Sequence, residues 1–210
     1  MEDSLLKFLG SDSGFGAHNN SAYIEERDKL TIIDCGFTVF EQIKEKFDLN
    51  KYKEINVIVT HLHNDHAGSL SQLILYAYFI FNKKVNIICM CSKIKEYLDI
   101  TGTPEDAYTL YDKFENVEFI KTEHTKYLDS YGFKLCLNGK KIVYTGDTNT
   151  LEPFMKYIRD TELDTVTIDG GVYGIPMDTQ AWGVFYNKEL FDKAGISEVP
   201  TTVTELKDCV

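Results

Sequence analysis

The stretch Thr60-His61-Leu62-His63-Asn64-Asp65-His66-Ala67-Gly68-Ser69 is the part of this sequence that decides its fold and its chemistry. It follows Glu54-Ile55-Asn56-Val57-Ile58-Val59, a largely apolar run that predicts a buried strand. In an extended segment that leaves a strand, residues two apart point to the same side, so His61, His63 and Asp65 can converge while His66 turns away. Imidazole and carboxylate groups are typical ligands of Zn²⁺. The stretch therefore predicts a site with room for two metal ions, and a solvated polar loop is the alternative.

Composition limits the classes of function. The chain has 210 residues, of which 43% are hydrophobic, enough for one domain or one domain with an appendage. Its net charge of −11 repels a phosphate backbone, so nucleic-acid binding would need a metal or a local basic patch. Five cysteines without a CxxC pair suit reduced thiols and a cytoplasmic location. The acidic N-terminus and the short apolar run at 73–81 predict neither export nor a membrane anchor.

Short strands alternate with helices along the chain. Apolar runs predict strands at 5–9, 22–25, 30–33, 85–90 and 117–120. Helices are predicted at 38–47, at 69–81 and from an N-cap at Ser92 to residue 98. Asn138-Gly139 predicts an antiparallel hairpin between 133–137 and 141–145. The class is therefore α/β with much antiparallel sheet.

Several segments occur in the order found in one known family. They are Phe8-Leu9-Gly10-Ser11 with Ser13-Gly14, Asn20-Ser21, Ile32-Ile33-Asp34-Cys35-Gly36, the histidine stretch, His124 before Ser130-Tyr131-Gly132-Phe133, and Tyr144-Thr145-Gly146-Asp147-Thr148. With these segments, residues 1 to about 158 resemble the metallo-β-lactamase fold hydrolases, especially the ribonuclease Z and phosphodiesterase-like branch. The resemblance implies an αββα sandwich, with two sheets face to face, helices outside and the site at one edge.

The resemblance also implies roles for six residues. His61, His63 and His124 would ligate one metal ion, Asp65 and His66 would ligate a second, and Asp147 would bridge the two. Zn²⁺ is the expected ion, with Mn²⁺ or Fe²⁺ as alternatives. Two such ions activate water for hydrolysis without a protein nucleophile, and Asp65 would be the catalytic residue that accepts or orients the proton of that water. The expected substrate is a small-molecule or nucleotide-type phosphodiester; binding of nucleic acid and the oligomeric state stay open.

Four further residues have competing interpretations. Asp34, at the end of its strand, either orients a ligand imidazole or is a strand-end turn residue. His18 could lie at the rim of the site, but a solvated loop position is favoured. Cys89 and Cys91 are expected to be core and loop thiols rather than ligands.

The sequence departs from the family in one place. A late histidine that completes the shell of the second ion should follow Asp147, but the chain's five histidines end at His124. The second ion would have only Asp65, His66, Asp147 and solvent. We therefore expect weak occupancy of the second site and an impaired enzyme.

The C-terminal residues resemble a different family. The segments Asp169-Gly170-Gly171-Val172-Tyr173-Gly174, Trp182-Gly183-Val184-Phe185-Tyr186-Asn187-Lys188 and Val199-Pro200-Thr201-Thr202 are similar to sugar-binding proteins of bacterial ABC importers. We therefore expect an incomplete hydrolase domain at 1–160 and a foreign appendage at 161–210. The appendage should be attached loosely, with a strand at 165–168 adding to the hydrolase sheet, Trp182 packing on an apolar face and a peripheral helix at 188–194. The alternative function is a non-catalytic chimeric, relic or solute-binding fragment that keeps a metal-binding loop.

Overall fold

Two β-sheets form the framework of the described chain. The computed structural model describes residues 5–12, 14–159, 163, 165–168 and 171–173. The first sheet has the order β1-β2-β3-β4-β5-β6. Its strands are β1 (Lys7–Gly10), β2 (Ser21–Glu26), β3 (Lys29–Ile33), β4 (Glu54–Val59), β5 (Val85–Cys89) and β6 (Tyr108–Tyr111). The pairs β1-β2 and β2-β3 are antiparallel, whereas β3 to β6 run parallel.

The second sheet has the order β11-β10-β9-β8-β7. Its strands are β7 (Val117–Lys121), β8 (Tyr131–Leu137), β9 (Lys140–Tyr144), β10 (Thr165–Ile168) and β11 (Gly171–Tyr173). The helices are α1 (Val39–Lys46), α2 (Asn64–Ala67), α3 (Leu70–Phe81), α4 (Ile94–Ile100) and α5 (Met155–Ile158), with 3₁₀ turns at Leu49–Lys51, Glu105–Ala107 and Glu152–Phe154. No helix within these described ranges has the length and apolar character needed to cross a membrane.

The parallel strands β3, β4 and β5 of the first sheet are buried on both faces. Because side chains alternate along a strand, Val57 packs in a cluster with α1, α3 and α4, whereas its neighbour Ile58 packs in a cluster with the second sheet. In that second cluster the rings of Phe133 and Tyr144 are stacked, with centroids 5.2 Å apart. Phe154, just before α5, covers the outer face of the second sheet. This layering is the αββα sandwich expected from the sequence.

The hairpin prediction is confirmed, and the predicted helix cap is wrong. Strands β8 and β9 pair antiparallel, and Asn138 and Gly139 at the turn have φ values of 53° and 75°, which these two residue types tolerate. Helix α4 begins at Ile94 with Lys93 before it. The hydroxyl of Ser92 instead donates to the Asp129 carboxylate at 2.8 Å. The carboxylate of Asp129, which is distant in sequence, therefore takes the hydroxyl group that was expected to cap the helix.

The second sheet continues beyond residue 160. Strand β10 pairs parallel with β9, with Val166 opposite Val143, and pairs antiparallel with β11. The expected addition of a strand at 165–168 to the hydrolase sheet is thus observed. The domain boundary at 160/161 stays a prediction, and Trp182 and the helix predicted at 188–194 lie outside the described residues.

Candidate metal centre

The ends of parallel strands carry the histidine stretch and Asp34 to one edge of the first sheet. Ile33 in β3 lies opposite Ile58 in β4, so the residues that follow these two strands are neighbours. The backbone N–H of Asp34 donates to the carbonyl of Ile58 at 2.8 Å. Asp34 has φ of 60°, a left-handed conformation that aspartate tolerates better than most residues. This backbone turn directs its carboxylate towards the residues after β4.

A close approach of two backbone segments fixes the histidine stretch. The N–H of Cys35 donates to the carbonyl of His66 at 2.7 Å, and the N–H of Phe37 donates to the carbonyl of Asn64 at 3.0 Å. Between them, a Cβ at Gly36 would lie only 1.9 Å from the carbonyl oxygen of Asp65. Only glycine fits without displacement of one segment.

Three imidazoles converge in the first group of candidate ligands. Ring nitrogens of His61, His63 and His124 lie within 4.8 Å of one another. Nδ1 of His63 is 2.9 Å from Nε2 of His61 and 3.1 Å from Nε2 of His124. His124 follows β7, and the side chain of Asn149, beyond β9, donates to its carbonyl at 3.1 Å. The fold thus brings together residues separated by some 60 positions.

The second group contains His61, His66 and Asp147, whose ligand atoms also lie within 4.8 Å of one another. The Asp147 carboxylate faces both groups. Its Oδ1 is 3.3 Å from Nε2 of His66, and its Oδ2 is 3.5 Å from Nε2 of His124 and 3.9 Å from Nε2 of His61. This is the position that a bridging carboxylate would need.

Asp65 belongs to neither compact group. The extended geometry that would point it alongside His61 and His63 ends at His63, because α2 begins at Asn64. Its Oδ2 instead lies 3.4 Å from Nε2 of His66, on the side of the second group. Asp65 therefore takes the neighbourhood that the family resemblance implies rather than the one that two-residue alternation suggests.

Asp34 is fully buried and sets the orientation of two imidazoles. Its Oδ1 accepts the N–H of Thr60 and its Oδ2 accepts the Thr60 hydroxyl, both at 2.8 Å. Nδ1 of His66 also lies 2.8 Å from Oδ2 and donates to it. Since the only hydroxyl proton of Thr60 is used, its oxygen can only accept, and Nδ1 of His61 at 3.1 Å must be the donor. In neutral His61 and His66, Nε2 is then left with a lone pair that faces the cluster.

Of the two interpretations of Asp34, the structure supports the orienting partner. The signal in the sequence was weak, since an aspartate after a strand is common. Thr60 and Asn149 carry no signal that would separate them from ordinary loop residues, and only their hydrogen bonds reveal a role. His18 is exposed, as the favoured interpretation expects, while Cys89 and Cys91 are buried.

Burial and charge set the protonation of the cluster. Burial lowers the pKa of His61 to about 3, helped by the neighbouring His66. Burial opposes the charge on His66, but Asp34, with Asp147 and Asp65, raises its pKa well above the usual value. Burial acts to raise the pKa of Asp147, yet the hydrogen bond and charge of His66 outweigh it and lower the pKa to about 2. The pKa of Asp65 is lowered, chiefly by its hydrogen bond with His66.

These residues fit divalent metal ions. Nitrogen and carboxylate oxygen are the donor types that Zn²⁺ takes, and Mn²⁺ or Fe²⁺ also accept them. The three imidazoles of the first group supply three nitrogen ligands, and Asp147 adds oxygens between the two groups. Asp34 and Thr60 supply the outer hydrogen bonds that hold ligand imidazoles in position.

Solved structures identify the fold. YhfI from Bacillus subtilis, a metallo-β-lactamase fold protein, matches with a TM-score of 0.63 at 18% identity, over 77% of this chain and 68% of that one. Human tRNase Z, short form, matches with a TM-score of 0.59 at 16% identity, over 77% of this chain and 75% of that one. The protein therefore has the metallo-β-lactamase fold expected from its motifs.

Two family models match different parts of the sequence. The family described as "Anti-Pycsar protein Apyc1" matches residues 5–98, and the family described as "Bacterial extracellular solute-binding protein" matches residues 112–210. Anti-Pycsar protein Apyc1 from Bacillus phage 010DV004 is 25% identical over 177 residues, which cover 68% of each chain. The second match agrees with the solute-binding resemblance of the C-terminal residues but begins further upstream, so its range includes His124 and Asp147.

Proposed function

We propose that this protein, built on the metallo-β-lactamase fold, is a metal-dependent hydrolase that acts on phosphodiester-type bonds at a dinuclear site. The observation that carries the proposal is the pair of ligand groups that share His61 and lie on the two sides of one carboxylate, Asp147. The three imidazoles of the first group alone would suit a single ion with one open position. Two adjoining groups, one of them bordered by the partly exposed carboxylate of Asp65, suit chemistry on a bound substrate.

Six residues would hold the two ions. His61, His63 and His124 form one set, Asp65 and His66 form the other, and Asp147 serves both. Divalent ions in such a site supply a nucleophile from water at neutral pH and neutralise the charge that develops on phosphoryl oxygens. Zn²⁺ is the ion we propose. The second position is expected to bind its ion more weakly because no histidine follows His124 in the sequence.

Side chains around the two ligand sets would orient the ligands and accept a proton during the reaction. The buried Asp34 and Thr60 hold His61 and His66 with their Nε2 atoms towards the substrate side. Asp65 is the proposed catalytic residue: its carboxylate is partly exposed, and its lowered pKa keeps it ionised near neutral pH. An ionised carboxylate here can accept the proton of an attacking water molecule.

The test combines metal content with turnover. Protein purified without chelator should contain zinc, and it should hydrolyse bis-(p-nitrophenyl) phosphate. His63→Ala should lose metal and turnover, because one nitrogen of the first group is removed. His18→Ala is the matched control, since this histidine is exposed and outside both groups. Full turnover by His63→Ala, with its metal removed, would assign the chemistry elsewhere.

A second candidate function is favoured by the solute-binding family match at 112–210. In that case the protein is a non-catalytic chimeric or relic chain that keeps the metal cluster without turnover. Bound zinc together with undetectable hydrolysis would support this candidate over the enzyme. A cytoplasmic location, predicted from the cysteines, is part of the first proposal and is tested by cell fractionation.

A further inference from the structure

A basic pocket adjoins the histidine cluster. It has a volume of about 310 Å³ and is lined by Leu62, Cys91, Ser92, Lys93, Lys121, Thr122, Thr125, Lys126, Tyr127, Leu128 and Asp129. Leu62 stands between His61 and His63, and Thr122 and Thr125 flank His124 in the sequence. The Sγ atom of Cys91 lies 3.3 Å from the carbonyl oxygen of Asp129 and 3.6 Å from that of Thr60, so the pocket contacts the segment that begins the cluster. The pocket therefore borders the segments that carry His61, His63 and His124.

The charge of the pocket is opposite to that of the whole chain. Three lysines, Lys93, Lys121 and Lys126, line it against a single carboxylate, Asp129, in a protein of net charge −11. Asp129 is already engaged by the Ser92 hydroxyl at 2.8 Å and by Lys121 at 3.7 Å. Among the residues that the structure describes, neither Lys93 nor Lys126 forms an ion pair with a carboxylate. Their charges are available to an anionic ligand.

One wall of the pocket also carries an exposed aromatic ring. Tyr127 has 74% of its surface exposed, and the ammonium of Lys126 lies 5.1 Å from its ring centroid. Exposed tyrosine rings beside lysines are used to stack on nucleic-acid bases while the cations hold the phosphate. The hydroxyls of Ser92 and Thr125 lie among the same lining residues and can add neutral hydrogen bonds.

We propose that this basic pocket binds the phosphate group of a nucleotide-type ligand, with the ring of Tyr127 stacked on its base. As a subsite for substrate, the pocket rests on the proposed hydrolase function, because it would hold one end of a nucleotide beside His63 and His124. It supplies the local basic patch without which a chain of this charge would repel phosphates.

The test measures binding rather than turnover. Adenosine 5′-monophosphate and inorganic pyrophosphate are titrated calorimetrically into the full chain in the presence of EDTA, so that metal ions contribute nothing. The double variant Lys93→Ala/Lys126→Ala should bind both probes about tenfold more weakly, since two exposed charge pairs are lost. Tyr127→Ala should weaken binding of the nucleotide but not of pyrophosphate, and Tyr127→Phe should restore it.

The matched control is the double variant Lys51→Ala/Lys84→Ala. It removes the same charge from two exposed lysines that precede β4 and β5, at the opposite ends of the strands. It should bind both probes with the affinity of the unaltered chain. If the two double variants lost affinity for the probes equally, or if neither probe showed saturable binding, the pocket would not be the binding site. Because the titration needs no hydrolysis, a protein that binds nucleotide without turnover would refute the hydrolase and keep the pocket.

Discussion

Replacement of one oxygen atom in Asp34 should change which ring nitrogens carry protons in two candidate ligand imidazoles, His61 and His66. In Asp34→Asn, the amide has one oxygen and one NH₂ group in place of Oδ1 and Oδ2. If the oxygen keeps the N–H of Thr60, which donates at 2.8 Å, the NH₂ group faces the Thr60 hydroxyl and Nδ1 of His66. The NH₂ group then donates to both. The other orientation of the amide would set its NH₂ against the N–H of Thr60 and is disfavoured.

The hydrogen bonds of the new amide change the protonation of His66 and His61. His66 must accept at Nδ1, so it becomes neutral and keeps only the proton on Nε2, which faces Asp65 and Asp147. The Thr60 hydroxyl, now an acceptor from the amide, donates to Nδ1 of His61, so the proton of His61 moves from Nδ1 to Nε2. Restoring each imidazole for metal binding breaks a hydrogen bond worth about 1.5 kcal/mol. Because His61 and His66 belong to different ligand sets, each set should lose about tenfold in metal affinity.

The assay is zinc affinity by competition with a chromophoric chelator, alongside ¹⁵N spectra of the histidine rings of the metal-free protein. The spectra should show a neutral His66 and the exchanged tautomer of His61 in the variant, a result that a general loss of packing would not produce. Asp28→Asn is the control, because this aspartate pairs with Lys53 at 2.8 Å, outside both ligand groups. Unchanged zinc affinity in Asp34→Asn, with unchanged tautomers, would refute the reasoning.

Three further predictions concern the cluster and its supports. Asp65→Asn should keep the fold and the zinc of the His61, His63 and His124 set but lower turnover of bis-(p-nitrophenyl) phosphate by at least about 100-fold, as expected for a lost proton acceptor and a weakened second ion; retained turnover would remove Asp65 from catalysis. Gly36→Ala should destabilise the protein by about 3 kcal/mol in urea unfolding, because its Cβ would lie 1.9 Å from the Asp65 carbonyl oxygen; an unchanged midpoint would mean that the two segments separate easily. A chain that ends at residue 160 should melt about 5 °C lower than one that ends directly after β11, because Val166 and Thr167 are buried beside β9; equal melting temperatures would support a loosely attached appendage from residue 161 onwards.

Local sequence patterns predict some elements of this fold, and contacts between residues distant in sequence decide others. The strands β2 to β5, the helix α3 and the β8-β9 hairpin follow from apolar runs and from the Asn138-Gly139 turn, so the sequence predicts them directly. The cap at Ser92 fails because Asp129, distant in sequence, offers its hydroxyl a better partner. Strand β6 was missed because Tyr108–Tyr111 is a short edge strand whose pairing with β5, rather than its own pattern, defines it.

The sequence by itself determined which residues are candidates for the chemistry. His61, His63, Asp65 and His66 stand close together after one strand, and imidazole and carboxylate groups are of the types that bind divalent metal ions. The tertiary structure alone decided how they combine with distant residues. It placed His124 and Asp147 around His61, made Asp34 the acceptor that fixes two imidazoles, and gathered three lysines beside the cluster. The physical reason is that spacing along a chain fixes only the direction of nearby side chains, whereas the distance between loops is set by the packing of the sheets that carry them.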